Sequence, residues 1–427
     1  MKPITESEVS QDEILPQISG DVIGDTAYSE RFVLKLMMKF AELDVLKDVL
    51  QEKSFEEDLC TLWDMTAERD VVQFLQKHKI LNLFNYALPD IDSSRTLEII
   101  VGIIANMCCQ KEVVEDLLEK KDFLTSLLDY ISHEDSLLLI QVLRLVSASL
   151  FLADDGVVQT WMDLLASVGF PDALYFILKN SSHKNLLINA MENLNTVCSY
   201  CNTEKYRAKF FTMFVKKEAI ESLSAAVVEL TITQPDICEK DELERILVIS
   251  LEITLNLIGF DQSLSIYSES KEALIPMIEF ILKYYNNKIV NQKEIDIDLA
   301  DVIDSTVTIV STVDLSALCS MDKFFDNTFS IWLALQVTMK TELNGSSDFE
   351  DQDKEQLSAF TKKIESPLCT LMCKYMEKCS EDNLKKVLDT IGTNLDDILK
   401  VVTVEVREVV SKRTHDFKNR IENHVDS

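Results

Sequence analysis

A unit of three helices recurs along the chain, and its spacing limits the architectures that the sequence can form. In the first copy we expect a short helix over Asp70–His78, a second over Ile80–Leu88 and a longer third over Ser94–Gln110. From Leu97 onwards, apolar residues of the third helix follow at intervals of three and four, which is the spacing of one helical face. The unit therefore predicts helices that bury one face against their neighbours.

The same order of helices returns over 111–152 and 154–201, and more loosely over 203–260 and 261–313. The second helices are predicted to begin near Ile80, Asp122, Asp172, Glu218, Glu272 and Asp322. These starts are roughly 42 to 54 residues apart, which is near or above the period of armadillo and HEAT repeats. The sequence therefore predicts an all-α fold, an armadillo/HEAT-like α-solenoid of stacked helical repeats.

The composition agrees with a helical chain that buries a large core. Of 427 residues, 47% are hydrophobic, and only 8 Gly and 7 Pro are present to form hairpin turns or sheet corners. The longest apolar run, over 136–153, contains Gln141 and Arg144. We interpret it as a buried helix of the array and not as a membrane span, so we expect no membrane partner.

Polarity along the chain predicts three regions. Residues 1–25 are acidic and lack apolar periodicity, which predicts a disordered N-terminal tail. The helical solenoid is expected over 26–413, interrupted by an acidic flexible loop over 341–356, and 414–427 is expected to be a polar C-terminal tail. The run VVTVEVREVV near the end is rich in valine, which is common in strands. The apolar residues Ile398, Val402, Val406 and Val409 nevertheless have the spacing of a helix.

Residues with catalytic or metal-binding chemistry are present but are not arranged for it. Cys198 and Cys201 form a CSYC pair, but no second pair and no nearby His completes a zinc site. The ten cysteines lie mainly on apolar helical stretches, and the first twenty residues lack the apolar segment of a signal peptide. We therefore predict reduced thiols, no cofactor, no metal and no enzymatic activity.

The charge balance indicates the kind of partner. The chain has 42 Lys and Arg against 73 Asp and Glu, a net charge of −31. Such a field repels phosphate backbones, so we expect no direct binding to nucleic acid. It favours a protein partner with a basic or extended segment, although the same charge could serve only to keep an apolar chain in solution.

Polar residues recur on the third helices at similar positions. In armadillo folds the third helix lines the concave groove, where an amide can hold the extended backbone of a partner. The candidate partner-binding residues are Asn106, Ser147, Asn195 and Asn256, with Thr308 as the approximate equivalent in a later copy. The alternative is that these side chains cap helices or bridge neighbouring repeats.

Three segments carry a family resemblance: GDVIGDTAYSE over Gly20–Glu30, LWDMTAERDVVQFLQ over Leu62–Gln76 and VGIIANMCC over Val101–Cys109. They resemble the serum amyloid A-like 1 family, and the likeness covers roughly the first quarter of the chain. The resemblance implies an armadillo-type helical fold and a role in promoting cell proliferation. It also implies a location mainly in the nucleus, with the cytoplasm as a second location. It carries over no catalytic residue and no cofactor.

The sequence leaves three functions open. The leading one is a non-catalytic scaffold or adaptor that binds a partner segment in the concave groove. The second is a regulatory subunit that docks by its convex face, and the third is an acidic chaperone for basic proteins. Neither the identity of the partner nor the oligomeric state follows from the sequence.

Overall fold

The protein, represented by a computed structural model, is described over residues 21–292, 299–344 and 351–425, and no strand occurs in those three ranges. The chain divides into two units, Met1–Leu124 and Thr125–Ser427. The helices of the first unit are α1 (Glu30–Ala41), α2 (Leu43–Val49), α3 (Lys53–Met65), α4 (Arg69–Lys77), α5 (Ile80–Ala87), α6 (Ser94–Met107) and α7 (Lys111–Glu119), and α8 (Lys121–Asp129) spans the boundary. The first predicted unit is therefore confirmed as α4, α5 and α6.

The first unit is organised around helices of equivalent position in successive repeats. Helix α3 packs against α6, and α1 packs against α5. Gly102 of α6 lies under the indole of Trp63 in α3, so closely that a Cβ at this position would be 2.3 Å from the Trp63 ring. The absence of a side chain at Gly102 therefore permits the close approach of α3 and α6.

The second unit contains the remaining helices. They are α9 (Ser136–Phe151), α10 (Asp155–Ser167), α11 (Phe170–Asn180), α12 (Lys184–Cys198), α13 (Glu204–Phe214), α14 (Lys217–Val228), α15 (Lys240–Ile258), α16 (Ser263–Tyr267), α17 (Ile275–Asn286), α18 (Leu299–Thr312), α19 (Asp326–Asn344), α20 (Asp351–Lys378), α21 (Glu381–Ile391), α22 (Leu395–Val401) and α23 (Val404–Val425). Three π-helical turns, over Glu229–Thr233, Asn287–Asn291 and Met321–Phe325, adjoin α14, α17 and α19.

In the second unit, the second and third helices of each repeat stack on their counterparts in the next repeat. The third helices form one row, in which α9, α12, α15, α18 and α20 pack in succession. The second helices form another row through α11, α14, α17 and α19, and the first helices α10 and α13 also pack together. This nearest-neighbour stacking is the arrangement of an α-solenoid, so the predicted fold class is confirmed.

Tyrosine hydroxyls tie neighbouring repeats of the second unit together. The Tyr175 hydroxyl donates to the Phe214 carbonyl at 2.6 Å, that of Tyr200 to the Leu150 carbonyl at 2.6 Å, and that of Tyr206 to the Asp155 carbonyl at 2.5 Å. Each bond joins residues 39 to 51 positions apart. Because burial disfavours the phenolate, the pKa of Tyr175 lies well above its ordinary value, which keeps this hydroxyl a donor.

The structure also corrects parts of the predicted organisation. Of the predicted tail over 1–25, residues 1–20 lie outside the described residues, but Ile23 is buried and the Asp21 carboxylate accepts from the Arg31 backbone N–H at the start of α1. This bond, together with one that the Ser29 hydroxyl donates to the same carboxylate, holds the pKa of Asp21 below its ordinary value. Residues 21–25 are therefore part of the folded unit, because a capping carboxylate and one apolar side chain fix them.

Two predicted polar segments are largely helical. Helix α19 continues through Asn344 and α20 begins at Asp351, so only 345–350 of the predicted loop over 341–356 lie outside the described residues. The predicted tail over 414–427 is helical as far as Val425, because Phe417 extends the apolar stripe of α23 and is buried. The prediction of one continuous array over 26–413 stays a prediction.

Among the described residues no single helix is both long and apolar enough to cross a membrane. Taken together, α10 and α11 have the length and composition of a membrane span, but they are bent by 68° at the break between them.

The contact between Gly102 and Trp63 generates a stability prediction. Gly102→Ala should lower the free energy of unfolding by about 1–3 kcal/mol, since the added methyl group overlaps the indole ring. Gly156→Ala is the matched control, because its nearest neighbour outside the local backbone is 3.5 Å away. Urea unfolding measures both variants, and equal stability of the two would contradict this account of the packing.

Candidate functional site

Asn106 lies half-buried near the end of α6 and bonds to the end of α3. Its Nδ2 donates to the Thr66 hydroxyl at 3.0 Å and to the Trp63 carbonyl at 3.4 Å. The Thr66 hydroxyl donates in turn to the Trp63 carbonyl at 2.5 Å. These bonds satisfy a helix-end carbonyl of α3, so the Asn106 amide bridges two repeats.

A recess of about 470 Å³ lies beside Asn106, where α3 leads into α4 and α6 leads into α7. Its lining includes Thr66, Arg69, Gln110 and Glu112, so it contains both charges and two amides. The Gln110 Nε2 donates to the Arg69 carbonyl at 3.3 Å, which links the two turns. The recess combines these charged and amide groups with a larger apolar lining, so it offers hydrogen-bonding partners beside an apolar wall.

Two of the segments that carry the family resemblance meet here. Leu62–Gln76 forms the end of α3 and most of α4, and Val101–Cys109 forms the end of α6 and the turn after it. They are joined by the packing of Trp63 over Gly102 and by the bonds of Asn106. The sequence motif therefore encodes one packed junction of the first unit.

Ser147 of α9 is bonded to a residue that the sequence analysis did not select. The Asn193 Nδ2, on α12, donates to the Ser147 hydroxyl at 3.0 Å and to the Leu143 carbonyl at 2.9 Å. Asn193 is fully buried, and its bonds repeat those of Asn106: one to a carbonyl and one to a hydroxyl on the preceding third helix. Asn193, and not Asn195, is thus the amide of its repeat that bonds back to the preceding third helix.

Asn195 and Asn256 lie nearer to solvent, where both are half-buried. The Asn195 Nδ2 donates to the Glu252 carboxylate on α15 at 3.0 Å. The Asn256 Oδ1 accepts from the Cys201 thiol at 3.3 Å and from the Asn202 Nδ2 at 3.4 Å. The structure therefore joins each of these amides to polar groups across the row of third helices.

The third helices of the second unit expose one polar stripe each. We call the following residues of α9, α12, α15 and α18 the ladder surface: Ser147, Asn195, Glu252, Asn256, Asp304 and Thr308. Thr308 is exposed and donates only to the Asp304 carbonyl within its own helix, among the contacts of the described residues. Glu252 and Asp304 have no cationic partner within the described part of the chain, so the surface is acidic.

The buried thiols are poorly reactive, and the described residues form no cluster that could hold a metal ion. Cys198 is buried and its thiol pKa lies well above the ordinary value, and burial also raises the pKa of Cys373 to about 12. Such thiols stay protonated and are poor nucleophiles. Across 21–292, 299–344 and 351–425, no group of three or more His, Cys, Asp or Glu residues is arranged to hold a metal ion.

The contrast between Asn193 and Asn195 can be tested by stability. Asn193→Ala should lower the free energy of unfolding by about 1–2 kcal/mol, because the Leu143 carbonyl and the Ser147 hydroxyl of α9 lose their donor. The Asn193 Oδ1 has no partner among the described residues, so its removal adds nothing to this loss. Asn195→Ala should cost less than about 0.5 kcal/mol, since its bond is near solvent. Chemical denaturation distinguishes them, and a larger loss for Asn195→Ala would refute the assignment.

Comparison with known proteins gives relatives over part of the chain. No family model matches it. It is 28% identical over 193 residues to Protein saal1 of Danio rerio, a match that covers 43% of this chain and 41% of that protein. It is 26% identical over 185 residues to Protein SAAL1 of Homo sapiens, covering 40% and 39%. The chain thus matches about two fifths of the length of these curated relatives.

Among solved structures, SYS-1 is similar with a TM-score of 0.47 at 11% identity, over 89% of this chain and 63% of that one. An engineered protein is similar with a TM-score of 0.35 at 11% identity, over 90% and 93%. Both likenesses are too weak to add to the fold as described. The sequence relatives confirm the resemblance inferred from the motifs: over the matched part of its length, this chain is related to the serum amyloid A-like 1 proteins.

Proposed function

We propose that the protein is a non-catalytic interaction scaffold that binds a basic, extended segment of a partner protein along the ladder surface. The observation that carries the proposal is the row of polar side chains on stacked third helices, within which Glu252 and Asp304 lack a cationic partner among the described residues. A rigid row of helices offers an extended segment repeated contacts at fixed intervals.

The amides of the ladder surface suit the recognition of a peptide backbone. Asn195 is bonded to a side chain and not to a backbone group, and the acceptor, Glu252, is exposed. Exchanging such a bond for one to a partner costs little, because both groups are already partly hydrated. The amide of Asn106 is committed to the end of α3, so we assign it a structural role in the first unit.

Charge selects the partner in this proposal. A Lys or Arg side chain beside Glu252 or Asp304 gains a charge-assisted hydrogen bond, and the net charge of −31 draws basic segments toward the protein. The setting that we propose, in the nucleus and in the control of cell proliferation, rests on the family resemblance. Binding to basic proteins by charge alone, as in an acidic chaperone, remains the competing function.

Paired variants test the ladder surface. Peptides are first selected on the unmodified protein from a random 15-residue display library, and they should be rich in Lys and Arg. The double variant Glu252→Gln with Asp304→Asn should bind these peptides about tenfold more weakly than the unmodified protein does. Asp382→Asn with Glu408→Gln is the matched control, since it removes two exposed acids elsewhere in the second unit. Fluorescence anisotropy at two salt concentrations gives the affinities.

The outcomes separate the two functions. Loss confined to the ladder variant, with affinity largely retained at high salt, supports the scaffold. Equal losses in both double variants, together with a collapse of binding as ionic strength rises, would mean that net charge governs binding and would favour the chaperone.

A further inference from the structure

A second recess lies in the second unit, away from the residues of the ladder surface. Its volume is about 640 Å³, and it opens where the chain enters α9 and where α11 leads into α12. Its lining includes His133, Glu134, Leu139, Phe176, Ile177 and Leu186. A recess of this size accepts a large side chain and part of the backbone on either side of it.

The apolar part of this recess is incompletely covered. Leu139, Ile177 and Leu186 form its floor and are 6%, 5% and 2% exposed, whereas the Phe176 side chain is 68% exposed. An aromatic ring in solvent beside an apolar recess is unfavourable in isolation and is typical of a protein contact. Leu137, at the start of α9, is also exposed, at 46%.

One carboxylate accompanies the apolar residues. Glu134 lines the recess, is exposed, and has no cationic partner within the described part of the chain. Two other polar groups there are engaged locally: His133 accepts from the Asp135 backbone N–H at 3.0 Å, and Asn180 donates to the Phe176 carbonyl at 2.8 Å. The recess therefore combines an apolar floor, an exposed aromatic ring and one available negative charge.

We propose that this recess, which we call the Phe176 pocket, binds a partner segment in which a large apolar side chain is followed or preceded closely by Lys or Arg. The apolar side chain packs on the floor and against Phe176, and the cation pairs with Glu134. Charge complementarity selects this occupant, because both Glu134 and the whole-chain charge of −31 favour a basic group. The proposal rests on the function as an interaction scaffold and adds a second site with its own specificity.

Selection of peptides tests the Phe176 pocket directly. A random 12-residue display library is selected on the full chain, and we expect one enriched class to pair Leu, Ile, Met, Phe or Trp with a neighbouring Lys or Arg. Peptides of that class should bind Phe176→Ser and Glu134→Lys at least about tenfold more weakly than the unmodified protein. Both substituted side chains are exposed, so the melting temperature should stay unchanged.

Two controls make the result specific. Phe151→Ser removes an aromatic ring that is 84% exposed at the end of α9 and does not line the pocket, so it should leave the affinity unchanged. The ladder variant Glu252→Gln with Asp304→Asn should also leave this class unaffected. Enriched peptides that lose affinity only in the ladder variant would overturn the Phe176 pocket while supporting the scaffold, and a library without any binder would contradict both proposals.

Discussion

Within each unit, the structure depends on the packing of a third helix against the third helix of the next repeat. In the second unit this contact runs from α9 through α12, α15 and α18 to α20, and the row of second helices follows the same order. Helices packed on both sides cannot expose their polar backbone ends freely, so side chains supply partners at the repeat boundaries. The hydroxyls of Tyr175 and Tyr200 do this in the second unit, at the carboxyl ends of α13 and α9.

The helical order could be predicted because burial imposes its period on the sequence. The apolar stripes of α6 and α12 are nearly continuous, and the second helices α5, α8, α11 and α14 begin within about two residues of the expected positions. The segments that were misjudged are those in which polar residues outnumber apolar ones. At the start of α20 helix propensity outweighs the polarity that suggested a loop, and towards the end of α23 the buried Phe417 does so.

The site was harder to predict than the fold. Asn193 and Asn195 are two positions apart, which turns the side chain by about 200° around a helix and separates the interface from the solvent-facing stripe. Both flank the same apolar residues, so the spacing alone did not show which one is buried and bonds to the preceding repeat. The Phe176 pocket was not predicted either, because its residues come from three segments that only the stacking of repeats brings together. Phe176 is one of several apolar residues in α11, so the sequence did not show that its side chain is exposed while its apolar neighbours are buried.

The tyrosine bonds between repeats have a consequence for divergence. Their acceptors are the backbone carbonyls of Phe214, Leu150 and Asp155, which every amino acid supplies. A repeat can therefore exchange the side chain at the accepting position without losing the bond that its neighbour makes to it. Selection needs to preserve only the donor on one side of each boundary, which allows the sequences of such repeats to drift apart while the stack persists.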